Sequence, residues 1–148
     1  MIDAIVSPPH PINEPILDYA PGSPERAALK AEIARRSAET IEIPMFIDGK
    51  EVTTGEMQDV RSPHRRALLL ARAHQGTAAH VEQAIVAAKR AHAGWSSMPW
   101  TGRAAIFLKA ADLLATRLRP TICAATMLGQ SKTAHQAEID ASCELIDF

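Results

Sequence analysis

A chain of 148 residues with 47% hydrophobic residues has one domain's length and enough apolar matter for a core. Its net charge of −1 leaves no footprint for nucleic acid or an anionic membrane, and no apolar run approaches a bilayer span. Aromatics are only 4%, so the expected core is built from helices meeting through small residues.

In chain order, residues 1–22 read as an extended, proline-rich arm. Prolines at 8, 9, 11, 15 and 21 exclude a long helix there. Ile16, Leu17 and Tyr19 are its expected contacts with a larger body, with plain disorder as the alternative. The first residues carry no basic group before a short apolar run that prolines end at once, which excludes a secretory signal. Ser23, Pro24 and Glu25 then supply an N-cap, an N1 proline and an acidic first turn for a surface helix over 23–39. Ala28, Leu29 and Ile33 are its weak apolar stripe.

Residues 43–53, IPMFIDGKEVT, read as a β-hairpin. Asp48-Gly49 suits a two-residue turn in which both central positions need positive φ, and that register sets Met45 opposite Val52. Residues 67–74, ALLLARAH, form a third short strand. A helix over 77–93, capped by Thr77, turns Val81, Ala84, Ile85 and Ala88 inward, with Trp95 following the same period. After a break at 96–99, a second helix over 101–118 lines Ala104, Phe107, Leu108, Ala111, Leu114 and Leu118 along one face; Gly102 weakens its start slightly. Pro120 opens a short helix over 121–128. Gly129 reads as a left-handed stop and Ser131 as the N-cap of a final helix over 132–148. The fold class is α+β, mostly helical, with about four to five helices and a small antiparallel sheet.

On that last helix, Asp140, Glu144 and Asp147 fall within about 60° of one another, an ordinary solvated stripe. Glu138 falls on the opposite side, one turn from Ala134, His135, Ala141 and Ser142. A lone carboxylate among small residues needs a partner, because burying an unpaired charge is costly. The plain expectation is pairing with His135 or with a basic group elsewhere.

Other chemistry is sparse. The seven glycines are scattered, and neither G-x-G-x-x-G nor a P-loop occurs, so no cofactor-binding residue is assigned. The six histidines, at 10, 64, 74, 80, 92 and 135, show no HExxH and no pairing with cysteine at metal spacing. Cys123 and Cys143 lie in apolar or acidic surroundings with no CxxC spacing. Both read as packing cysteines of a reduced, cytoplasmic protein, and no catalytic residue is assigned.

Three stretches carry a resemblance. They are NEPILDYAPGSPER (13–26), PWTGRAAIFLKAADLL (99–114) and ATMLGQSKTAHQAEIDASCELIDF (125–148). In order and wording they resemble the N-terminal part of the aldehyde dehydrogenase superfamily, in the branch that oxidises L-glutamate γ-semialdehyde, the 1-pyrroline-5-carboxylate dehydrogenases. Gly102 is a departure, since relatives usually carry a charged residue there. The resemblance implies an ALDH-like α/β fold of which 23–148 is an incomplete N-terminal portion of the cofactor-binding domain. It also implies NAD, an aldehyde substrate, the remainder of a dehydrogenase chain as partner, and compatibility with a homo-oligomer. The family's cysteine nucleophile, glutamate base, oxyanion asparagine and NAD-binding sheet all come later in the chain than the matched segment. The AEIDA wording places Glu138 on the substrate side.

Three expectations follow. The start at Met1 favours a stand-alone dehydrogenase over the tail of a fused proline-oxidising enzyme. The 148 residues alone bind no NAD and oxidise no aldehyde. They fold only marginally, because the faces of Phe107, Leu108, Leu114, Ile139, Leu145 and Ile146 exceed what so few elements cover. Alternatives left open by the residues are a truncated, non-catalytic product, a helical interaction module, and another aldehyde dehydrogenase branch.

Overall fold

Ser23 caps the first helix as its residue type requires. In the computed structural model, which describes residues 5–148, its Oγ accepts from the Arg26 N–H at 3.3 Å. The first four positions of the expected arm lie outside the described residues. Helix α1 (Pro24–Ala38) has Glu25 in its first turn and Arg35 and Arg36 in its last, as the macrodipole favours. It buries Leu29, with Ile33 packed against the same cluster.

Five strands follow: β1 (Ile41–Ile43), β2 (Met45–Ile47), β3 (Lys50–Val52), β4 (Met57–Ser62) and β5 (Arg65–His74). The β2–β3 hairpin has the expected register, Met45 opposite Val52, and Asp48 and Gly49 turn with φ 57° and 72°. The other sheet corrects the sequence reading. Its order is β1-β5-β4, with β1 parallel and β4 antiparallel to β5, so it is mixed, and β5 starts at Arg65. β1 is only three residues long with all of them exposed, and β4 buries only Ser62, so neither presents a buried apolar face. The His74 ring ties β5 to β1 and to the loop after β3, its Nε2 2.6 Å from Glu42 Oε1 and its Nδ1 on the Thr54 backbone.

Helix α2 (Ala78–Ser97) is capped by Thr77 and His80 and runs past Trp95, so the expected break shrinks to Met98 and Pro99. Helix α3 (Trp100–Ala115) stops three residues short of the expected Leu118, where the Thr116 hydroxyl donates to the Asp112 carbonyl at 2.6 Å. Neither α2 nor α3 buries a single residue. Trp95 and Phe107 meet edge to face with centroids 6.3 Å apart.

Helix α4 (Arg119–Gln130) carries Pro120 in its first turn. The final helix is composite: α5 (Ala134–Ala137), a π-helical stretch over Glu138–Cys143, and α6 (Glu144–Asp147). The junction also corrects the sequence reading. Gly129 lies inside α4, and the left-handed residue is Ser131, at φ 60°. Ser131 is therefore a C-cap, its N–H donating to the Met127 carbonyl at 3.1 Å and its hydroxyl held 2.9 Å from His64 Nδ1. Thr133 is the N-cap of the next helix, in a reciprocal box with Gln136.

The core gathers Leu29 of α1, Cys123 and Ala124 of α4 and Ala137 of α5 around Tyr19 from the arm. Among the described residues no helix is long and apolar enough to cross a membrane.

Candidate functional site

Glu138 has 0% of its surface exposed, the deepest charge among the described residues. It opens the π-helical stretch, and the backbone explains its setting. A regular helix would place Cys143 about 140° around from Glu138. The wider π-turns bring Glu138, Ser142 and Cys143 inward together, a distortion that helices concentrate at functional positions. Asp140, Glu144 and Asp147 stay exposed on the outside, as the wheel placed them.

Every lone pair of that carboxylate that matters is engaged. Oε1 accepts from the Leu17 N–H at 2.8 Å and from Arg119 Nε at 3.1 Å, and forms an ion pair with a terminal nitrogen of the same guanidinium. Oε2 accepts from the Tyr19 hydroxyl at 2.6 Å. Arg119 is itself buried; it also pairs with Glu14 and donates to the Pro15 carbonyl at 2.7 Å. The Glu14 N–H donates to Asp147 Oδ1 at 2.7 Å, and Arg26 donates to the Tyr19 carbonyl at 3.1 Å. Residues 14–19 of the arm thus form a strap over α4 and the final helix. Tyr19, at φ 54°, occupies the left-handed region that a bulky side chain rarely adopts.

The electrostatics follow from this geometry. Burial alone would raise the Glu138 pKa, but the bonds from Arg119, Tyr19 and Leu17 outweigh it and hold the carboxyl below its ordinary value. Burial, then the bond to Glu138, pushes the Tyr19 phenol far above its usual range. Burial works against the Arg119 charge, but Glu138 and Glu14 hold its pKa above the ordinary value. Burial raises both thiols. Cys123 Sγ lies 3.0 Å from Ser142 Oγ and 3.6 Å from the Tyr19 hydroxyl, a packed polar contact and a poor setting for a thiolate nucleophile.

The expected basic partner of Glu138 is therefore Arg119, and His135 faces solvent. Sequence reasoning missed Arg119, Glu14 and the phenol of Tyr19 as its companions. One signal was present: a cation at the first position of α4 opposes the helix dipole and calls for an anion nearby.

The described residues do not fit a dinucleotide. The one strand-to-helix link among them, from β5 to α2, holds a single glycine, Gly76, and a Cβ there would meet Met45 Sδ at 3.0 Å. The first turn of α2 is occupied by its own Thr77–His80 cap, so no open amide nest faces a phosphate. Among the described residues no three side chains group as metal ligands.

The aldehyde dehydrogenase family profile matches residues 50–148. A Delta-1-pyrroline-5-carboxylate dehydrogenase of Agaricus bisporus is 51% identical over 137 residues, covering 92% of this chain and 25% of that protein. The mitochondrial enzyme of that name from Dictyostelium discoideum is 45% identical over 142 residues, covering 95% and 25%. The crystal structure of the Delta-pyrroline-5-carboxylate dehydrogenase from Mycobacterium tuberculosis bound with NAD superposes with a TM-score of 0.95 at 50% identity, over 99% of this chain and 28% of that one. The chain spans about a quarter of the length of the curated relatives it matches. With the profile covering well over half of its residues, the chain belongs to the aldehyde dehydrogenase family.

Proposed function

We propose that this chain is the N-terminal part of an NAD-dependent dehydrogenase that oxidises L-glutamate γ-semialdehyde to L-glutamate, the second step of proline breakdown. The observation that carries the reading is the chain-long likeness, in sequence and in fold, to proteins of that name. Residues 1–22 form the arm in this proposal, and 23–148 an incomplete N-terminal portion of the cofactor-binding domain. NAD belongs to the complete enzyme, where it accepts hydride. The described residues offer no cradle for it. The partner is the remainder of the dehydrogenase chain. The compartment is the cytoplasm, a reducing setting that suits two free cysteines.

In the same proposal Glu138 lies on the substrate side and holds the ammonium group of the semialdehyde by a charge-assisted hydrogen bond. One observation favours a second reading: the carboxylate is sealed from solvent and already held by Arg119, Tyr19 and Leu17, as a purely structural pin would be.

NADH formation from the semialdehyde tests the assignment. The purified 148-residue chain is expected to be silent, and the complete dehydrogenase active. Turnover by the short chain that replacing Cys123 or Cys143 abolishes would overturn it. Within the complete enzyme, Glu138→Ala and Glu144→Ala are compared on the semialdehyde and on an aldehyde lacking the amino group. Recognition predicts a raised KM for the semialdehyde alone, from Glu138→Ala alone. Equal losses on both substrates would make Glu138 a packing residue.

A further inference from the structure

A carboxylate with no exposed surface can take a new cation only in exchange for a donor it already has. Resting on the reading of Glu138 as a substrate-side group, three nitrogen or oxygen donors come into question, ahead of the longer contacts from Cys123 and Cys143. Arg119 is the least exchangeable: it is charged, meets Glu138 through two nitrogens, and is pinned from behind by Glu14 and the Pro15 carbonyl. Withdrawing it would strand two buried charges. The Leu17 N–H is backbone, fixed by the strap it belongs to. The Tyr19 hydroxyl differs on every count. It is neutral, it makes the shortest contact to Oε2, ahead of Arg119 Nε at 3.4 Å and Cys123 Sγ at 3.6 Å, and it has a second acceptor within reach in Cys123 Sγ at 3.6 Å. Its residue is held at φ 54°, a conformation that stores strain rather than relieving it. Its neighbours in the core include the small side chains of Cys123, Ala124 and Ala137.

We infer that Tyr19 is a stand-in donor. Its phenol satisfies Glu138 Oε2 while the site is empty and gives way to the ammonium group of an amino-bearing aldehyde, passing its own hydrogen bond to Cys123. The exchange replaces a neutral donor to the carboxylate by a cationic one and so turns a hydrogen bond into an ion pair, which favours a substrate with an ammonium group over one without. Tyr19 thereby sets how much that group is worth, and the proline-rich arm becomes part of the specificity apparatus.

The test uses the complete dehydrogenase and reads the ratio of KM for the semialdehyde to KM for an aldehyde lacking the amino group. Tyr19→Phe removes the competing hydroxyl and keeps the ring. The ratio is expected to fall about tenfold, the weight of one hydrogen bond. Cys123→Ala removes the second acceptor, and with it the ratio is expected to rise; this variant serves if Tyr19→Phe does not fold. Glu138→Gln is the control for the underlying reading and should raise the ratio. If Glu138→Gln raises the ratio but Tyr19→Phe leaves it unchanged or raises it, the stand-in role is wrong and the Glu138 reading survives. If Glu138→Gln itself moves both KM values alike, the Glu138 reading fails and the stand-in role fails with it. A merely structural Tyr19 would lower stability and leave the ratio where it was.

Discussion

The strap side of the molecule and the α2–α3 side are built by opposite rules. On the strap side, α1, α4 and the final helix enclose Tyr19, Cys123, Ala124, Ala137 and an ionic cluster whose members reach across as many as 133 positions of sequence. On the other side, two helices of 20 and 16 residues bury nothing, and Phe107 is 66% exposed with Leu108 beside it at 51%. Large exposed apolar faces on long helices mark surfaces meant to be covered. The difference teaches that one half of the described chain closes a core of its own and the other leaves its apolar face open.

The sharpest way to break this comparison is to remove the strap side's central charge. Arg119→Leu leaves Glu138 buried and uncompensated, a loss of about 3–5 kcal/mol. Its urea midpoint should collapse. Arg90→Leu, which removes the exposed Asp48 pair of α2, should leave the midpoint in place. Equal shifts from the two would erase the distinction.

The next effect is on pH. The folded pKa of Glu138 is depressed, so its contribution is present above the ordinary glutamate value of about 4.3 and drains away as pH falls through the depressed one. The folded pKa of Tyr19 is raised, so its contribution is whole below about 10 and lost as pH rises beyond. Tyr19 is the only tyrosine, so phenolate absorbance reports it alone. Ionisation should coincide with unfolding at alkaline pH, and a smooth titration without unfolding would place the phenol in solvent.

How much of this was legible beforehand varies with the range of the interaction. The Asp48-Gly49 turn, the Ser23 cap and the inward face of Glu138 follow from neighbours a few residues apart, and the sequence showed them. The partners of Glu138 did not show, because Tyr19 lies 119 positions away and nothing local pairs them. The π-turns were hidden because a wheel assumes the regular period throughout. Gly129 was chosen over Ser131 as the left-handed stop on conformational freedom alone. The His64 contact that holds the Ser131 hydroxyl comes from a hairpin 67 positions upstream. Strands β1 and β4 lack a buried apolar face of their own, so periodicity had nothing to find.

A smaller effect sharpens the other side of the comparison. Phe107→Ser with Leu108→Ser should change stability by no more than about 0.5 kcal/mol per site, because exposed positions carry little folding energy. It should nonetheless shift the chain from associated species to monomer on size exclusion. A wild-type chain already running as a sharp monomer, or a doubly substituted chain that unfolds, would mean that α2 and α3 pack more tightly than their exposure indicates.

Amide hydrogen exchange along the 148-residue chain tests the division most directly. Helices without buried anchors are marginal in water, so α2 and α3 should exchange within a few fold of the unstructured rate. The amides of Leu17, α4 and the composite final helix should be protected together, and should lose that protection together in Arg119→Leu. Uniform protection across all helices, or protection of α2 and α3 above that of α4, would contradict the account.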